Sequence, residues 1–84
     1  MSPKNVSISG VEYMVSAPTG RDYMESIEMQ DFEKACFFIL RNVTINGEPA
    51  FDSLESVQDS PLALLLKLES VVSSLLEYEI PDPT

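Results

Sequence analysis

The hydrophobic positions of this 84-residue chain change their period once. Between Val6 and Val15 apolar residues alternate with polar ones, the period of two typical of half-buried strands. From about residue 20 onward they recur at three- and four-residue steps, as in helices that bury one face. This pattern predicts an α+β fold, mainly α-helical, in which an N-terminal β-hairpin is followed by a small bundle of three to four helices.

The predicted hairpin turns at Ser9-Gly10, a pair that suits a tight two-residue connection. A lone hairpin is only marginally stable in water, so we expect it to pack on the helices or to join the sheet of a neighbouring chain. The stretch from Thr44 to Pro49 contains Asn46-Gly47 and is interpreted as a turn-rich connection between helices.

The strongest helical signal runs from Ser60 to Tyr78. Ser60 is the expected N-cap and Pro61 the expected first helical residue. Five apolar residues are predicted to form the stripe that faces the core: Leu65, Leu68, Val72, Leu75 and Leu76. Leu62 and Leu66 fall beside that stripe. We therefore predict that a partner or a second copy of the chain covers them.

A short helix is predicted over residues 20–28, where Thr19 and Asp22 have the spacing of a capping box. We expect three of its apolar side chains to face inward: Tyr23, Met24 and Ile27. Its acidic side chains, Asp22, Glu25 and Glu28, are predicted to form a solvated face. Arg21 is expected to pair with Glu25 or another acid.

Two further helices are predicted in the middle of the chain. One runs from Phe32 to about Asn42 with Asp31 as its cap, and another is opened by an Asp52–Glu55 capping box and ends by Gln58. Phe37 and Phe38 fall partly off the apolar stripe of the first of these helices. Two readings stay open, because either the rest of the chain wraps this helix or the two rings meet a partner.

Composition excludes several classes of function. The net charge of −9, from 14 acidic and 5 basic residues, opposes binding to nucleic acid and to anionic membranes. The chain has no histidine and one cysteine, Cys36, which is expected to be a buried apolar residue in a reducing compartment. We find no catalytic, cofactor or metal motif and expect a non-enzymatic protein. The N-terminus gives no signal-peptide pattern, and the chain is interpreted as one domain over residues 1–84, with residues 1–5 and 80–84 as disordered tails.

The order of features resembles that of a known family. A strand pair ends in VEYMVSAPTGRD (residues 11–22), an apolar helix follows, and VTINGEPAFDSLESVQDSPLALLLKL (residues 43–68) leads into the final Leu-rich helix. This arrangement resembles the small tail assembly chaperones of long-tailed bacteriophages, in their short form, and it covers most of the chain. Residues 19–22 match the family's helix-start motif, for which the resemblance implies a structural role only.

The resemblance implies a function in virion assembly. Such proteins are not enzymes. They bind the tape-measure protein, keep it soluble and bring tail-tube subunits to it, in the cytoplasm of the infected host and outside the mature virion. They tend to self-associate, so a homo-oligomer is expected. Residues Phe37, Phe38, Leu62 and Leu66 are the predicted partner or oligomer interface.

Two other functions remain compatible with the sequence. A small acidic protein can inhibit a host defence complex by occupying a basic nucleic-acid groove, although the acids here are spread along the chain. Alternatively, the protein is a structural subunit of the virion, in which case it stays in the finished particle.

Overall fold

The computed structural model describes residues 3–79 of the protein, with side chains up to residue 76. The described part is an α+β domain, about half helical, with one four-stranded antiparallel sheet and four helices. The predicted α+β class is therefore confirmed. The elements follow in chain order: β1 (Lys4–Ile8), β2 (Val11–Val15), α1 (Gly20–Glu25), α2 (Asp31–Asn42), β3 (Val43–Ile45), β4 (Glu48–Pro49), α3 (Leu54–Gln58) and α4 (Leu62–Glu79).

The first hairpin forms as predicted. β1 and β2 pair antiparallel, with Ile8 opposite Val11 and Lys4 opposite Val15. Ser9 and Gly10 both have positive φ (52° and 82°), as a two-residue type I′ turn requires. β1 begins at Lys4, inside the segment predicted to be a disordered tail, whereas the other predicted tail, residues 80–84, lies outside the described residues.

A second hairpin occupies the stretch that was predicted to be turn-rich. The turn at Asn46-Gly47 is confirmed, but the strands on either side of it were not predicted. β3 and β4 pair antiparallel around Asn46 and Gly47, which again both have positive φ (53° and 83°). β3 also pairs with β2, so the strand order is β1-β2-β3-β4. These strands have only three and two residues, too few for an alternating pattern to be recognised.

Helix α1 starts with the predicted capping box but is shorter than predicted. Asp22 N–H donates to Thr19 Oγ1 (3.3 Å), and Thr19 N–H donates to Asp22 Oδ2 (3.1 Å). The helix ends at Glu25, three residues before the predicted end. At that end the Ser26 hydroxyl donates to the Tyr23 carbonyl oxygen (3.1 Å).

Three predicted N-caps were wrong. The cap of α2 is Gln30, without a side-chain hydrogen bond, and Asp31 is the first helical residue. A reciprocal capping box of Ser53 and Ser56 opens α3, in place of the predicted Asp52–Glu55 pair. The Ser60 hydroxyl donates to the Ser56 carbonyl oxygen (2.9 Å) at the end of α3, and α4 begins at Leu62.

The core lies where one face of the sheet meets α2, α3 and α4. α2 packs against both α3 and α4, and β2 contacts α4. The predicted stripe of α4 is confirmed, since Leu65, Leu68, Val72 and Leu75 are buried and Leu76 is partly buried. Other buried apolar residues come from the strands and the middle helices: Ile8, Tyr13, Val15, Cys36, Ile39, Val43 and Val57.

Candidate functional site: exposed apolar surfaces on α4 and between α1, α2 and α4

The long helix α4 has apolar residues outside its core stripe. Leu62 and Leu66 are 59% and 52% exposed, although both belong to the same helix as the buried Leu65 and Leu68. The two exposed leucines are one turn apart and therefore lie on the same side of the helix. We call them the α4 leucine pair. The sequence placed them beside the core stripe, and that is where the structure has them.

The two phenylalanines of α2 have different surroundings. Phe37 is buried, and the guanidinium carbon of Arg41 lies 5.6 Å from the centroid of its ring. Phe38 is partly buried and packs against the core cluster. At Phe37, α2 is thus covered by its own chain, as one of the two readings expected, whereas Phe38 keeps part of its side chain accessible. A contact between a partner and Phe37 stays a prediction.

Phe38 lies in a groove formed by α1, α2 and α4. Two cavities of about 430 and 140 Å³ share Lys34, Phe38 and Leu76 in their linings. The larger continues to Pro18 and Tyr23, and the smaller continues to residues on α2 and α4: Asp31, Ala35, Glu69, Val72 and Ser73. We call this the Phe38 groove. Its lining is mainly apolar, so it can accept an apolar side chain from a partner.

The connection from α1 to α2 exposes apolar side chains that were predicted to face inward. Tyr23, Met24 and Ile27 are 52%, 74% and 56% exposed, so that prediction was wrong. α1 ends at Glu25, so Ile27 is not on a helix. The prediction failed there because it assumed helical spacing up to residue 28. Phe32 at the start of α2 is also exposed.

Asp22 holds α1 on the end of α2. It is only 4% exposed, and its Oδ2 accepts hydrogen bonds from Thr19 N–H and from Asn42 Nδ2 (3.0 Å). Arg41 Nε lies 3.6 Å from Asp22 Oδ1, and Arg41 Nη1 donates to Glu25 Oε1 (3.1 Å). The predicted solvated row of Asp22, Glu25 and Glu28 is therefore wrong for Asp22. The base that pairs with Glu25 is Arg41, where the sequence suggested Arg21.

Cys36, the one cysteine of the sequence, is buried in α2. Burial raises the pKa of the Cys36 thiol above its usual 9.0, and the neighbouring Glu33 carboxylate raises it further. A buried thiol that keeps its proton is a poor nucleophile. Among the described residues, no cluster of three or more cysteine or acidic side chains is placed to hold a metal ion. Within residues 3–79, no helix combines the length and the apolar character needed to cross a membrane.

Comparisons with known proteins gave no match. No family model, no curated protein and no solved structure matches the chain. The case for a function therefore depends on the residues and surfaces described above.

Proposed function

We propose that this protein is a tail assembly chaperone of a long-tailed bacteriophage. It binds the tape-measure protein, keeps it soluble and helps to recruit tail-tube subunits, acting in the host cytoplasm and leaving no copy in the mature virion. It carries out no catalysis. The proposal starts from the resemblance of residues 11–22 and 43–68 to that family, and the surfaces of the molecule support it.

The observation that carries the proposal is the exposure of the α4 leucine pair. A small domain needs its apolar residues for its own core, yet Leu62 and Leu66 are more than half exposed on its longest helix. A tape-measure protein is a long helical chain with apolar seams. A helix that presents leucines one turn apart suits such a seam, because helices pack through residues at three- and four-residue spacing.

The Phe38 groove and the net charge fit the same function. The groove accepts an apolar side chain of the bound helix between Phe38 and Leu76. The net charge of −9 keeps the resulting complex soluble through mutual repulsion. Both features favour a protein that covers apolar surface on another chain.

The test is co-expression of the protein with the tape-measure protein of its own phage. We expect the wild-type chain to keep the tape-measure protein in the soluble fraction. The double variant Leu62→Asp with Leu66→Asp should stay folded, because both positions are exposed, but should lose this effect, since each carboxylate would be buried unpaired in the contact. Circular dichroism and the soluble fraction of the tape-measure protein are the two measurements.

The matched control is Ser70→Asp with Ser74→Asp. These serines are also exposed on α4 and have the same four-residue spacing. They lie one and two turns beyond Leu66 and outside the lining of the Phe38 groove, so the control adds the same two charges to the same helix without altering the leucine pair. It should keep the tape-measure protein soluble. If the leucine variant folds and still solubilises its partner, the α4 leucine pair is not the binding surface. Finding the protein in purified virions would instead favour a structural subunit.

A further inference from the structure

The first strand of the sheet has one unpaired side within the part of the chain that the structure describes. β1 is the end strand of the order β1-β2-β3-β4, and among residues 3–79 its one pairing partner is β2. The opposite end of the sheet is β4, which has two residues and includes Pro49, a residue without a backbone donor. β1 is therefore the longer of the two edges and the one that can accept another strand.

The register of the sheet shows which backbone groups of β1 point outward. Ser16 N–H donates to the Asn42 carbonyl oxygen (2.9 Å), so the even-numbered residues at the end of β2 bond toward β3. Odd-numbered residues of β2 therefore bond toward β1, where their partners are Lys4, Val6 and Ile8. Asn5 and Ser7 are left with their N–H and carbonyl groups directed away from β2.

We propose that two copies of this protein pair through β1 in an antiparallel, two-fold symmetric arrangement centred on Val6. In this register Asn5 of one copy faces Ser7 of the other, and each such pair exchanges two hydrogen bonds. The four outward groups of each strand are then all satisfied. The two sheets join into one sheet of eight strands.

The chemistry at both ends of β1 limits the length of this ladder. Pro3 would face Ser9 of the second copy, and proline has no N–H to donate. Ser9 has already left the strand, with a φ of 52°. The ladder therefore ends after Lys4 and Ile8, which face each other across the two copies. A finite ladder of five residues gives a closed dimer that cannot extend into a fibre through this edge.

Charge also favours β1 as the place where two copies meet. Each chain carries a net charge of −9, so most of its surface repels a second copy. β1, with the sequence KNVSI, has no acidic residue and carries Lys4. Two copies that meet along β1 therefore bring no carboxylates of the pairing strands together.

Disulfide trapping tests the register. The two Val6 residues would lie opposite each other at a non-hydrogen-bonded position, with Cα atoms about 4.5 Å apart, within the range of a disulfide. The two Ser7 residues would be about 8 Å apart, beyond that range. We expect diamide to cross-link the Val6→Cys variant into a dimer and to leave the matched Ser7→Cys variant mostly uncross-linked. Cys36 is fully buried in the wild-type chain, so we expect it to take no part in the cross-linking of either variant.

Association of the uncross-linked protein is the second test. Ser7→Pro removes an outward N–H without touching the pairing with β2, so analytical ultracentrifugation should show dimerisation weakened at least about tenfold, because two of the four interchain hydrogen bonds are lost. Ser7→Ala keeps the N–H and should dimerise like the wild type.

The proposal would be overturned by a wild-type chain that stays monomeric at high micromolar concentration, by equal cross-linking of the two cysteine variants, or by wild-type dimerisation of a folded Ser7→Pro variant. If the Ser7→Pro variant does not fold, the comparison of cross-linking between Val6→Cys and Ser7→Cys decides whether the proposed register is correct. Capture of a strand from another protein by an otherwise monomeric chain would also overturn it. The chaperone proposal is tested separately on α4, so failure at β1 leaves that result unaffected.

Discussion

At the scale of single residues, Asp22 makes the largest number of polar contacts in the described part of the chain. Its carboxylate caps its own helix through Thr19 N–H, accepts from Asn42 at the end of α2, and lies 3.6 Å from Arg41 Nε. Asp22 therefore stabilises the start of α1 and also attaches α1 to α2.

We predict that Asp22→Ala lowers the free energy of unfolding by about 2–3 kcal/mol, because it removes a cap and one of the two acceptors of the Asn42 amide nitrogen, the other being the Phe38 carbonyl oxygen. Urea denaturation measures this change. Glu28→Ala is the matched control, since Glu28 is an exposed acid of the same segment, and should change stability by less than about 0.5 kcal/mol. Equal effects of the two substitutions would show that the Asp22 contacts do not stabilise the fold.

At the scale of elements, the two hairpins place glycine where the backbone needs it. Gly10 and Gly47 have φ values of 82° and 83°, whereas Gly20 lies at the start of α1 without a positive φ. A Cβ at any of the three positions would meet no atom within 4 Å. Differences between them therefore come from backbone conformation and not from crowding.

We predict that Gly47→Ala destabilises the protein by roughly 1 kcal/mol, because the left-handed conformation is unfavourable for alanine. Gly20→Ala should be neutral or should stabilise by up to about 1 kcal/mol, since alanine is the better helix former. Thermal unfolding of the two variants provides the measurement. A Gly47→Ala variant as stable as Gly20→Ala would contradict the positive φ in the second hairpin.

Sequence reasoning succeeded for elements whose signal is local and long. The stripe of α4 repeats over about three turns of an 18-residue helix, and the first hairpin alternates over ten residues, so both were predicted correctly. The second hairpin was missed because its strands are short and depend on pairing with β2, a contact distant in sequence. The exposure of Tyr23 and Met24 was missed for a related reason, since six residues of α1 do not define an inward face.

The candidate surface was only partly predictable. Leu62 and Leu66 could be identified as exposed because the apolar stripe of a long helix shows which side faces the core, and these two leucines lie outside that stripe. The Phe38 groove could not be predicted from the sequence, because it depends on how α1 and α4 are placed around α2. The burial of Asp22 depends on the same tertiary arrangement, through Asn42 and Arg41.

At the scale of the whole molecule, strong negative charge coexists with exposed apolar surface. The charge of −9 suits two kinds of partner, a basic groove or an apolar chain that must be kept soluble. The two kinds respond differently to salt. Charge contacts at a surface weaken as the Debye length falls from about 30 Å at 0.01 M to about 3 Å at 1 M, whereas the burial of apolar surface does not depend on screening.

We predict that the complex with the tape-measure protein weakens by less than about tenfold between low and high salt, because the α4 leucine pair and the Phe38 groove supply apolar contacts. Binding measured by isothermal titration calorimetry at several salt concentrations tests this. The Ser70→Asp with Ser74→Asp variant should show the same affinity and salt response, because its added charges lie beyond the α4 leucine pair and outside the lining of the Phe38 groove. A complex that loses a hundredfold or more over that range would depend on the carboxylates, and would favour a basic nucleic-acid groove as the partner.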